Sequence, residues 1–484
     1  MGKKIKLQES FFRYLFLLFV FLFVVHLVYV FFALDINIQL SSIFLDIIFI
    51  SIFLLAISNL EYAFFMSLIL LPVFFMLENI TILNQVYNSQ SLNSLSFHSV
   101  DPRVIGFFMA IFFSWIFIYQ KKDISILKIP AIKIILLMVG YFCLSALWSM
   151  GQQERYVQIG FYLLLTTLYI VAYISVQNKI SFYRLISFLI ALSIPAIFMA
   201  YFQIFGGLFF EYADMDIHRV SGPFNSPNLL GSFLLVTSAL VIILLIVLKR
   251  KIYKVYLLIY LFLALPIFFL TFSRSAWIGM IVFLAIFSSQ SKRFVLGVLL
   301  ICTLLFSSML MFEATRERLN GFSERTMFDS VYARTNIWRM SYKKFQEKPL
   351  LGYGTGSFSE VINDAKESAG GTDNPHNDLV FFLIEEGIIG AVLFLSVTLS
   401  FYCHLFKTHI KINKNIITPK EKEKYLNTLS LGIISLFIAL TIISTVESYY
   451  EGNFLHLFIW SLLGAWFALA KRESNQTKNS RELF

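Results

Sequence analysis

Long apolar runs separated by short polar connections make up most of the chain, and this rhythm breaks once, between Glu313 and Asn374. The hydrocarbon core of a bilayer is about 30 Å thick and a helix rises about 1.5 Å per residue, so runs of about 17 to 25 apolar residues predict spanning helices. Such runs lie near 14–34, 38–57, 60–77, 104–119, 134–148, 156–175, 185–205, 229–248, 255–272, 275–289, 294–312, 378–404, 426–446 and 453–470. They predict an all-α polytopic integral membrane protein with about 12–14 transmembrane helices and one long extracellular loop. The expected organisation is N-terminal transmembrane helices over 1–312, the loop over 313–377, C-terminal helices over 378–472 and a cytoplasmic tail over 473–484. Within the loop, Tyr332, Ile337, Trp338 and Met340 alternate with Arg334, Arg339 and Lys343. That pattern predicts an amphipathic helix, lying on the membrane surface or solvated.

Composition agrees with this reading. Of 484 residues, 58% are hydrophobic and 14% charged, and the mean hydropathy is +0.76. A soluble domain carries about 25% charged residues. The net charge of +10 raises the question of nucleic acid, which the positions of the cations answer. Most of the 39 Lys and Arg residues cluster at 3–13, 121–133, 179–184, 249–254, 292–293, 407–424 and 471–481, on one side of the predicted spans. The short loops opposite hold Arg103, Arg155, Arg219 and Arg274. Cationic loops stay inside, so both termini are expected in the cytoplasm and the basicity is topological, with no nucleic-acid partner implied. The first run resembles a signal peptide, but it is too long and no A-x-A site follows, so a retained anchor is expected. Cys143, Cys302 and Cys403 stand far apart in apolar runs; they have neither metal nor disulfide spacing and read as packing residues.

Chemistry needs polar groups, and mid-span ones are scarce. His26 and Asp46 are isolated and read as neutral groups facing the bundle. The outer side offers more. Arg219 lies in RVSGPFNSPNLLG and Arg274 in TFSRSAW, and an arginine fork pairs bidentately with phosphate oxygens. Either could instead be a snorkelling interfacial arginine, and the Asn225–Asn228 turn could serve as a helix start with Asn228 as N-cap. The run NPHNDLVFFLIEEGIIG begins at Asn374. With Asn374 as N-cap and Pro375 in the first helical position, His376 falls in the first turn, where free N–H groups attract an anion. On an uninterrupted helix, Gly387 lies about 20° from His376 and Gly390 about 40° to the other side. The two glycines would then admit a neighbouring helix and fix the face that presents the histidine, while Glu385 would point away. GYGTGSF, from Gly352 to Phe358, has the glycines of a dinucleotide loop but follows Pro349 and no strand. Asp214 and Asp216 form a short acidic pair without further ligands, and no metal site is expected.

His376-Asn377, nine residues, then Gly387 and Gly390 resemble the H-N-x9-G-x-x-G signature of the O-antigen ligase and polymerase family. The resemblance extends to RVSGPFNSPN, TFSRSAW, the R-x-x-x-W from Arg334 to Trp338 and PLLGYGTGSF from Pro349, covering about residues 215–395. It implies a metal-independent, cofactor-free, inverting glycosyltransferase in the cytoplasmic membrane of a bacterium, with its active site facing outward. The donor implied is an oligosaccharide on undecaprenyl pyrophosphate, met among membrane lipid. The same resemblance makes His376 the catalytic residue, aligns Arg219, Arg274 and Arg334 with the pyrophosphate, and leaves Asn377, Asn225, Asn228, Gly387 and Gly390 in support. Family members differ in acceptor: another lipid-linked repeat unit for a polymerase, lipid A core for an O-antigen ligase, protein for an O-glycosyltransferase. A composition rich in Phe, Ile, Lys and Asn suggests an AT-rich genome and a host without lipid A, which favours a polymerase of capsule or a teichuronic-acid-like polymer. A flippase and a chain-length regulator are the partners such a polymerase would have. A transporter or flippase of the same lipid-linked saccharides is the reading from another class, and it would want more ionisable groups within the spans.

Overall fold

The computed structural model describes residues 126–152, 154–206, 219–224, 226–290, 325–363, 375–414, 420–447 and 455–482, with isolated positions at 111, 296, 297, 300 and 303. These residues are all-helical apart from turns and connections. Apart from those isolated positions, the expected spans near 14–34, 38–57, 60–77, 104–119 and 294–312 lie outside the described residues, as do His26, Asp46, Asp214, Asp216, Asn225, Cys302 and Asn374.

In chain order the helices are α1 (Ile132–Ser145), α2 (Glu154–Ser175), α3 (Lys179–Ala191), α4 (Ile194–Gly206), α5 (Pro227–Val247), α6 (Lys251–Leu270), α7 (Arg274–Phe287), α8 (Arg325–Glu347), α9 (Asp378–Lys414), α10 (Lys420–Ile443) and α11 (Leu455–Glu482). Among the described residues six helices are long and apolar enough to cross a membrane, α3 and α4 together counting as one, and α1 and α7 are shorter apolar helices. The chain is therefore a multi-pass membrane protein. One expected span, 185–205, differs in detail: the helix breaks at Leu192–Ser193, just before Pro195. Proline lacks an N–H and disfavours a helical residue before it. Ser193 Oγ then bonds the Tyr260 hydroxyl at 2.7 Å, and that hydroxyl donates to Thr237 Oγ1 at 2.7 Å. The break thus opens a polar chain into the bundle.

Burial follows the sequence pattern. α5 is apolar on every face and every residue from Leu230 to Leu245 is buried, as a helix without a polar stripe requires. It packs against α6, α7 and α10, while α2 packs along α11. α6 leaves Leu258, Ile259 and Phe262 exposed, as expected of a helix facing lipid. Cys143 is half-buried and Cys403 exposed, so of these two only Cys143 fits the expected packing role.

The feature that organises the fold is a break inside α9. Gly387 has φ 62° and ψ −164°, outside any helical conformation. A broken helix exposes carbonyls at one new end and N–H groups at the other, and in a bilayer these must find partners within the protein. The segment Pro349–Phe358 supplies both sets. Tyr353 N donates to Ile384 O at 3.0 Å and Gly354 N to Glu385 O at 2.6 Å, closing the first half. Ile388 N donates to Pro349 O at 2.9 Å and Ile389 N to Leu350 O at 3.3 Å, opening the second. Its other side is held by the α1–α2 region: Ser149 Oγ donates to Thr355 O at 2.6 Å, Met150 N to Ser357 Oγ at 2.9 Å and Gly356 N to Gln158 Oε1 at 3.0 Å. A Cβ on Gly387 would collide with the Leu350 carbonyl. GYGTGSF is a plug for a broken helix.

Candidate functional site

Two expectations about helix starts change. Asn377 Oδ1 accepts from Leu379 N at 2.9 Å and Val380 N at 3.1 Å, so Asn377 is the N-cap of α9. Pro375 and His376 precede the helix, and His376 has φ 49°. The left-handed region is uncommon for a side chain other than Gly, although His, Asn and Asp are enriched there. His376 therefore does not share a helical stripe with Gly387 and Gly390. The geometry fails twice, because the helix begins after the histidine and breaks at Gly387. Both glycines lie at the plug instead, where Gly390 admits the Glu386 side chain and the Tyr141 ring of α1. Likewise Ser226, not Asn228, caps α5: Ser226 Oγ accepts from Asn228 N, with Pro227 at the first position. This frees the Asn228 side chain for another role.

That role is to join Arg219 to a carboxylate the sequence reading missed. Glu447 emerges from the turn after α10 and is 7% exposed. Asn228 Nδ2 donates to Glu447 Oε1 at 2.9 Å, and Arg334 donates to the same oxygen at 3.1 Å. His376 Nδ1 lies 3.1 Å from Glu447 Oε2. Arg219 donates to Asn228 Oδ1 at 2.7 Å and through Nε to Thr271 O at 2.9 Å. Glu447 thereby gathers residues from the 219 turn, α5, α8 and the segment before α9.

Each arm is anchored. Gln203 Oε1 of α4 accepts from Ser221 N at 3.1 Å and Gly222 N at 2.9 Å, holding the turn that carries Arg219. Trp338 Nε1 of α8 donates to Pro375 O at 2.7 Å, pinning the residue before His376. Asn377 Nδ2 donates to Thr445 O at 3.0 Å and Asp378 N to Ser444 O at 3.1 Å, tying the start of α9 to the turn that presents Glu447. Arg274 opens α7 three residues after Thr271, under a Ser273 cap, and is exposed.

The side chains of Arg334 and His376 are 27% and 25% exposed, and Glu447 beneath them is 9%. The arrangement is a half-open cationic rim over a buried carboxylate. It can hold an anion at the guanidinium groups and move a proton at the imidazole. Among the described residues, no group of three His, Cys, Asp or Glu side chains is placed to hold a metal.

A second acidic site lies at the plug, where the sequence reading expected Glu385 to point away and attached no role to Glu386. Both are fully buried. Glu385 Oε1 accepts from Phe358 N at 3.0 Å and Gln158 Nε2 at 3.4 Å, and Thr355 Oγ1 donates to Glu386 Oε1.

No curated protein matches the chain. Arg219, Asn228 and Glu447 come from outside the stretch that a family model recognises. Residues 259–395 match the family model described as O-antigen ligase, so the stretch from α6 through the Gly387 break supports the O-antigen ligase and polymerase resemblance read from its motifs.

Proposed function

We propose that the chain is a polymerase of cell-surface polysaccharide, joining lipid-linked repeat units at the outer face of the bacterial cytoplasmic membrane. The observation that carries this reading is the convergence of Asn228, Arg334 and His376 on Glu447. The donor is a saccharide on undecaprenyl pyrophosphate. Arg219, Arg274 and Arg334 face the developing charge on the pyrophosphate as the anomeric C–O bond breaks, and preorganised cations stabilise such charge strongly. An acceptor hydroxyl oxygen attacks the anomeric carbon from the opposite side, inverting it, while undecaprenyl pyrophosphate leaves with the bonding electrons. His376 takes the hydroxyl proton. A carboxylate at Nδ1 accepts that nitrogen's proton in a hydrogen bond, leaving the lone pair on Nε2, the logic by which an acid orients a catalytic imidazole.

The reading places both termini in the cytoplasm and the Glu447 network outside, because the cationic segments mark the inner side. Transfer to lipid A core, as in a ligase, or to protein, as in an O-glycosyltransferase, uses the same geometry; the choice of polymerase rests on the composition of the chain. In proteoliposomes supplied with lipid-linked repeat units, the wild type lengthens the glycan without a transmembrane gradient. His376→Ala, inserted and folded normally, loses about 10²–10⁴-fold of that rate. Normal polymer length from this variant, or movement of the saccharide without elongation by the wild type, overturns the assignment.

A further inference from the structure

The Arg334 to Trp338 pair contributes more to the site than its guanidinium. The two residues are four apart on α8, so their side chains share one face. Arg334 reaches Glu447 and Trp338 reaches the carbonyl of Pro375, the residue before His376. The indole's only donor is thus satisfied by the protein, yet the side chain is 37% exposed. What Trp338 still offers a ligand is its flat apolar face. Ile337, fully buried on the adjacent position, holds this turn of α8 against the molecule. Exposure alone decides nothing, since Trp148 is equally exposed. Only Trp338 is bonded to the backbone next to the imidazole.

A pyranose has C–H groups on its two faces and hydroxyls around its rim. Its apolar face stacks on an aromatic ring while the hydroxyls remain free for polar partners, so a fixed ring orients a sugar without consuming its reactive group. We infer that the exposed face of Trp338 is the platform on which the acceptor saccharide stacks, bringing its hydroxyl to His376. This rests on the glycosyl-transfer reading above and names the acceptor subsite within it. Arg334 and Trp338 then divide one helical face between the two substrates, cation toward the pyrophosphate and ring toward the acceptor.

The test uses the full-length chain in lipid nanodiscs and, as probe, oligosaccharides released by mild acid from the host's own surface glycan. Binding of these oligosaccharides is measured by titration calorimetry, and transfer from lipid-linked donor is measured onto lipid-linked repeat units, the acceptor of the proposed reaction. Trp338→Ala is expected to weaken binding and raise the acceptor KM roughly tenfold, with donor KM unchanged. Trp338→Phe keeps a ring but loses the N–H to Pro375, and is expected to recover most of the affinity while turnover falls. Equal losses of turnover in both variants with acceptor KM unchanged would show that only the N–H matters and overturn the platform. A wild type that transfers while Trp338→Ala shows normal acceptor KM overturns the subsite alone. Binding without transfer, lost in Trp338→Ala, overturns the polymerase reading and keeps the saccharide platform. Neither binding nor transfer by the wild type overturns both.

Discussion

Glu447 and the Glu385–Glu386 pair are acidic groups of the same chemistry in opposite settings. Glu447 lies under half-exposed side chains and meets a guanidinium, an imidazole and an amide. Glu385 and Glu386 are enclosed, and their bonded partners are a backbone N–H, an amide and a hydroxyl, all neutral. A carboxylate bonded to a guanidinium gains from its charge, whereas one among neutral donors serves through its shape and its acceptor oxygens. The first arrangement is suited to charge that changes during a reaction. The second is suited to holding backbone in place. The two are joined mechanically: the plug follows directly on α8, so the pair that secures Pro349–Phe358 also secures the helix carrying Arg334 and Trp338.

Neutral isosteres separate the roles most sharply. Glu447→Gln keeps the shape and removes the charge, and is expected to cut transfer roughly 10²–10⁴-fold while the protein still folds, as when an orienting acid is neutralised. Glu386→Gln, measured in the same proteoliposomes, is expected to keep activity within about tenfold, because Oε1 can still accept from Thr355. Equal losses in the two variants would erase the distinction. Gly387→Ala attacks the plug where no side chain fits, adding left-handed strain of about 1–3 kcal/mol to a collision with Leu350 O. A lower thermal midpoint in detergent and a smaller folded yield are expected, with near-normal activity for each folded molecule. Asn228→Ala uncouples Arg219 from Glu447 and is expected to slow transfer about tenfold, with little change in thermal midpoint.

The smallest effect is expected at Glu347, outside both clusters. The Tyr353 hydroxyl and Lys344 hold its carboxyl below the usual range, and burial together with Glu347 pushes that hydroxyl up to about 12. A depressed acid stabilises the fold above its ordinary pKa and loses that contribution as pH falls through the folded value. Glu347→Gln should therefore leave activity at neutral pH unchanged and flatten only the acid side of the pH–stability curve. A shift of the neutral-pH rate would count against its placement outside the site.

The spans that fall among the described residues and the amphipathic α8 were legible because hydropathy and periodicity report directly on them, and motif spacing singled out Arg219, Arg334 and His376, which the structure brings into one network. Their geometry was not legible. The stripe joining His376 to the glycines assumed one continuous helix, yet Gly387 leaves the helix at a single residue, between Glu386 and Ile388, where hydrophobic periodicity carries no trace of the break. Asn228 looked like a cap because Asn and Ser cap equally well, and Ser226 took the role. Glu447 was not legible because it stands just past the end of α10 and outside every motif that marked the outer side. An acid immediately after a long apolar run, in TVESYY, was the available signal.

The interrupted α9 also bears on how the protein is made. Residues 349–358 are synthesised before the helix they complete, and their partners at Ser149 and Gln158 lie some two hundred positions earlier in the chain. Until those distant pieces meet, the groups flanking Gly387 are best satisfied by an ordinary continuous helix, the only arrangement available to a newly inserted segment in lipid. The bend is thus expected to form only once these pieces meet α9, and the Arg334 arm to settle with it.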